Sequence, residues 1–105
     1  MSLAMTGTLI FGGDVAPIRS RHIGLLGEVG DVLRTAELAV ANLEVALTDQ
    51  GTRVSGKPIA HHGHPDAIAA LIDGGFDAMN MANNHVLDYG EAALVDCLGR
   101  VERAG

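Results

Sequence analysis

Short apolar runs alternate along the chain with stretches whose apolar residues recur every three or four positions. Residues 8–12 open with a β-branched and apolar run (Thr8, Leu9, Ile10, Phe11) that Gly12-Gly13 is expected to stop, which reads as a buried strand. Over residues 24–35 the positions Leu25, Leu26, Val29, Val32 and Leu33 fall at helical spacing and predict an amphipathic helix. Residues 38–42 give a second strand, and a polar, glycine-containing loop is expected from 48 to about 64. Pro65 suits the first turn of a helix over 66–73, whose apolar face is Ala67, Ile68, Leu71 and Ile72 and whose end is Gly74-Gly75. A third strand is predicted over 77–81. A last helix follows over 91–103, with Ala92, Leu94, Val95, Leu98 and Val101 apolar. The order β-α-β-α-β-α predicts an α/β fold on a parallel sheet.

Composition adds bounds to that picture. The chain has 105 residues, 48% hydrophobic and 19% charged, which suits one small globular domain and not a disordered segment. Met1-Ser2-Leu3 ahead of Met5 reads as a cloning remnant, so residues 1–6 are taken as a disordered or cloning-derived start and 7–105 as the domain. The net charge is −6, and Arg19, Arg21 and His22 make the nearest approach to a basic cluster. Non-specific nucleic-acid binding needs a basic surface that displaces phosphate counterions, so nucleic acid is not an expected partner. No apolar run reaches the roughly 18–20 residues of a membrane span, and the start lacks signal-peptide features, which leaves the cytoplasm as the default expectation. Cys97 is the single cysteine, within an apolar helical pattern, and reads as a buried thiol.

Ligands of open parallel sheets bind beyond the carboxyl ends of the strands. Reading outward from the three predicted strand ends gives Asp14, then Asn42-Leu43-Glu44, then Asn83-Asn84-His85. Each strand therefore delivers an oxygen or nitrogen suited to a metal at one edge. Asp14 and Glu44 are hard anionic oxygens, and Asn84 offers a neutral amide oxygen. His85 can ligate, or act as a general acid near a leaving group. Such a set suits two divalent ions, manganese, iron or zinc, about 3.5–4 Å apart, able to activate water and clamp a phosphoryl oxygen. Asp88 is a candidate partner of His85 and sits near the start of the last helix.

Here the motifs become specific. Gly13-Asp14-Val15, Ala41-Asn42-Leu43-Glu44, Gly75-Phe76-Asp77 and the run Met81-Ala82-Asn83-Asn84-His85-Val86-Leu87-Asp88-Tyr89-Gly90 resemble the poly-γ-glutamate capsule-biosynthesis protein family, within the calcineurin-like metallophosphoesterase superfamily. The resemblance covers about residues 7–105. It implies the β-α-β-α-β-α half of a metallophosphoesterase-like layered sandwich, with Asp14, Glu44 and Asn84 as metal ligands and His85 assisting the leaving group. It also implies a small-molecule or polymer substrate. Ala16 departs from the histidine of the superfamily's first motif, and the later histidine motifs are expected well beyond residue 105.

Two further expectations follow. His61-His62-Gly63-His64 imitates a metal-binding His-x-His pair but precedes the third strand, so it reads as a solvated loop able to capture zinc or nickel adventitiously. A half domain would expose apolar surface and self-associate. The competing reading is a catalytically inert fragment or interaction module that keeps the fold.

Overall fold

A computed structural model describes residues 6–18 and 24–105. Most of the expected start at 1–6, and the basic positions Arg19, Arg21 and His22, lie outside the described residues. The elements run β1 (Leu9–Val15), α1 (Val29–Leu33), β2 (Leu38–Leu43), β3 (Ala46–Leu47), β4 (His62–Gly63), α2 (Ala67–Asp73), β5 (Ala78–Asn80) and α3 (Glu91–Ala104). The main sheet has the order β1-β2-β5 and both pairings are parallel, so the expected α/β class holds. Among the described residues no helix is long and apolar enough to cross a membrane.

The central strand β2 shows why the sheet forms. Its side chains alternate, with Ala39, Ala41 and Leu43 buried on one face. That face joins Leu33, Leu47, Ala67, Leu71, Phe76, Ala93 and Cys97 in one core. Asp77 completes the entry to β5 by a reciprocal bridge: its N–H donates to the Ala39 carbonyl and its Oδ2 accepts the Ala39 N–H, each at 2.8 Å. β1 is an exposed edge strand and not the buried strand expected, with Phe11 74% exposed. A side chain at Gly12 would meet the Phe76 ring at 2.9 Å, so glycine here admits the aromatic against the strand.

Several boundaries differ from the pattern. Gly12-Gly13 do not stop β1; the pairing with β2 slips between Phe11 and Asp14 and resumes, so Asp14 lies within the strand and not past its end. The helix expected over 24–35 contracts to Val29–Leu33. Gly24 and Gly27 adopt positive φ, 67° and 50°, which turns the chain before it and leaves Val29 and Val32 exposed. The expected loop over 48–64 ends in a strand, because β4 pairs in parallel with β3, Ala46 opposite His62 and Leu47 opposite Gly63. The third strand is shorter than expected, while α3 matches within a residue.

Leu43 is fully buried, whereas Leu9 on the edge strand is half exposed. Urea unfolding of Leu43→Ala should show a loss of about 2–5 kcal/mol, from lost burial and the cavity left behind. Leu9→Ala should stay within about 1 kcal/mol of the parent.

Candidate functional site

The pairing register sets Asp14, Asn42 and Asn80 side by side across the three strands. Parallel neighbours in register present their side chains on one face, and here the side chains form an ordered row. Asn80 Nδ2 donates to Asn42 Oδ1 at 2.8 Å, and Asn42 Nδ2 donates to Asp14 Oδ1 at 2.9 Å. The same Asn42 nitrogen lies 3.5 Å from Glu44 Oε1, so one amide touches both carboxylates. The Glu44 backbone N–H is itself fixed by the Val15 carbonyl at 2.9 Å, which ties the start of the connection after β2 to the end of β1.

Asn83 joins this row to the histidine. Its Nδ2 donates to Asn42 Oδ1 at 3.0 Å and to the Leu43 carbonyl at 2.8 Å, and its Oδ1 accepts the His85 N–H at 3.0 Å. The structure thus connects Asp14, Glu44 and His85 through two asparagines. Asn84 is exposed, and its backbone carbonyl accepts a hydrogen bond from Lys57 Nζ. Among the described residues, no three His, Cys, Asp or Glu side chains gather as a group able to hold a metal ion.

Asp88 organises the other side of His85. It is fully buried, and both oxygens are used. Oδ1 pairs with the Lys57 ammonium; Oδ2 accepts the His61 N–H at 2.7 Å and lies 2.6 Å from His85 Nδ1. Burial alone would raise the Asp88 pKa, but the bonds from Lys57, the His61 backbone and His85 outweigh it and hold the carboxyl at about 2. An ionised carboxylate only accepts, so His85 Nδ1 carries the proton in this bond, and whenever the ring is neutral its lone pair is on Nε2.

The histidine cluster is not a free solvated loop. His61 is half-buried, with its ring 5.2 Å from that of His85, and His62 stacks on Tyr89 at 4.4 Å. His64 Nδ1 accepts the Asp66 N–H at 3.2 Å. Sequence reasoning quoted Asn42 and Asn83 only as parts of motifs and passed over Asn80 and Lys57. The asparagines carried a signal in their strand-end positions; Lys57 carried none.

The depressed Asp88 pKa gives a pH dependence whose sign is fixed by linkage. Its stabilisation is present above the ordinary carboxyl value of 3.8 and is lost as pH falls through about 2. Denaturant midpoints of the parent should therefore fall across this window. Asp88→Asn should be less stable at neutral pH by about 2 kcal/mol, since Lys57 loses its charged partner, and its midpoint should fall less steeply over the same window.

The comparisons with known proteins agree with the motif reading. Residues 2–105 match the family described as bacterial capsule synthesis protein PGA_cap. A probable polyglutamine synthesis accessory protein of Mycobacterium tuberculosis is 33% identical over 69 residues, covering 66% of this chain and 18% of that protein. The PGA biosynthesis protein CapA of Bacillus subtilis is 26% identical over 102 residues, covering 94% of this chain and 27% of that protein. The capsule biosynthesis protein CapA of Bacillus anthracis is 26% identical over 109 residues, covering 99% and 26%. The chain spans about a quarter or less of the length of these relatives. With the family match running over nearly every residue, the chain belongs to the PGA_cap family of bacterial capsule synthesis proteins.

Proposed function

We propose that this chain contributes the Asp14, Glu44, Asn84 and His85 part of a metal-dependent phosphoester hydrolase-type site serving capsule or poly-γ-glutamate biosynthesis. The observation that carries the reading is the shared amide of Asn42, which draws the Asp14 and Glu44 carboxylates to one point. Two like charges drawn together repel unless a cation neutralises them. Their hard oxygens therefore fit a divalent ion such as manganese, iron or zinc. Asp14, Glu44 and Asn84 would hold such an ion. A bound ion would polarise a phosphoryl oxygen and lower the pKa of water.

The chain's own residues supply the rest of the chemistry. Asn42 and Asn83 orient the acidic row and the histidine turn together. His85 exchanges a proton at Nε2 with a leaving group, because Asp88 occupies Nδ1. The names of the relatives, PGA biosynthesis and capsule biosynthesis proteins, support reading such chemistry as part of polymer metabolism.

A second reading is favoured by one observation. No three of the usual ligand side chains converge among the described residues, which suits an accessory or interaction module without catalysis. Calorimetric titration of manganese, iron or zinc separates the two. Weak binding is expected, on the order of 0.1–1 mM, the range of the weakest protein calcium modules, whose affinity is set by ligand charge count and rigidity. Asp14→Ala and Glu44→Ala should weaken it tenfold or more, while His85→Ala should keep it. Hydrolysis of a generic phosphodiester by this chain is expected to be slow or nil, since four donors leave most positions of two ions to water. Affinity indifferent to Asp14 and Glu44 would reject the metal site and leave the module reading.

A further inference from the structure

The segment expected to be a polar loop wraps the turn that carries Asn84 and His85. Thr52 N–H donates to the Tyr89 carbonyl at 3.1 Å, and Val54 N–H donates to the Asp88 carbonyl at 2.8 Å. Gly51 makes this approach possible, because a side chain there would strike the Tyr89 carbonyl and the Ala93 methyl. Further along, Arg53 caps the bend with bonds to the Lys57 and Pro58 carbonyls at 3.0 and 3.3 Å. That bend delivers the Lys57 ammonium to two acceptors at once, Asp88 Oδ1 and the Asn84 carbonyl.

From this clasp we infer that Lys57 is a positioning residue of the site, acting through Asp88 to fix which nitrogen of His85 carries the proton. The proposal rests on the reading of His85 as the group that exchanges a proton. Lys57 holds one oxygen of a carboxylate that solvent does not reach, which sets the carboxylate's rotation and leaves Oδ2 for His85 Nδ1 and the His61 N–H. A buried carboxylate stripped of its cation is costly to keep ionised. Without the ammonium, Oδ1 has no donor and the carboxylate is free to rotate off Nδ1, so the ring proton can sit on Nε2, which closes the nitrogen needed for exchange. Lys57 also holds the Asn84 carbonyl, so a single ammonium sets the backbone of one candidate residue and the ring of its neighbour.

The test reads the ring directly. In the ¹⁵N-labelled chain, His85 is assigned by the signals lost in His85→Gln, and spectra are taken at a pH where the ring is neutral. Wild type should show a protonated Nδ1 and a lone pair on Nε2. Lys57→Arg, which keeps the charge, should preserve that state; Lys57→Met should lose it, with the proton shared or moved to Nε2. An unchanged tautomer in a folded Lys57→Met, or a wild-type ring protonated on Nε2, overturns the proposal. Should Lys57→Met fail to fold, the wild-type spectrum decides. Ammonium protons of Lys57 in slow exchange and in contact with the His85 turn support the proposal, and the fast exchange of an unattached surface lysine overturns it. None of these readouts needs metal or turnover. A failed metal titration with the tautomer intact would therefore sink the phosphoester reading alone.

Discussion

The Asp88 carboxylate, cut off from solvent, must be met by donors on both oxygens, and the chain around His85 is arranged to supply them. They come from Lys57, the His61 backbone and His85 itself. Satisfying them brings the segment between β3 and β4 onto the turn before α3 and stops it from floating in solvent. The orientation of the histidine ring is thus set when the chain folds, before any ligand arrives. Preorganisation of this kind is what makes a proton-transfer group effective, because no reorientation is needed during reaction.

A second constraint meets the first at Asn83. Parallel pairing places Asp14, Asn42 and Asn80 in one cross-strand row, and amide groups suit such a row because each both donates and accepts. The donors run from Asn80 toward the acidic edge, so each bond polarises the next in the direction of Asp14. Asn83 takes the remaining Asn42 acceptor capacity and passes its own oxygen to the His85 backbone. The acidic row and the turn that carries His85 are thereby one hydrogen-bonded unit.

How much of this was legible follows from the range of each interaction. The order of strands and helices could be read because apolar spacing is a local property, and it located β2, α2 and α3 well. Asp14, Glu44 and His85 stood out because each follows a short apolar run in the sequence, although β1 runs on through Asp14 and β5 ends at Asn80, well before His85. The helix expected over 24–35 forms only over Val29–Leu33, since periodicity carries no term for Gly24 and Gly27, whose left-handed turns spend the first half of the pattern. β3 and β4 have two residues each, too few to show an alternation. Lys57 was invisible for a different reason. Its partner lies 31 positions further on, and nothing near either residue announces the pair.

Cys97 gives the fold a built-in reporter. The thiol is fully buried in α3, with its sulfur accepting the Leu47 N–H of β3 at 3.2 Å, and burial pushes its pKa up. In the closed molecule it is both out of reach and short of thiolate, the form that reacts. Labelling by a thiol reagent must therefore wait for α3 to lift from β3. The labelling rate measures the free energy of that opening, a local quantity separable from global unfolding. Because α3 begins directly after the Asp88–Tyr89–Gly90 turn, this single sulfur would register how firmly the far end of the histidine clasp is anchored.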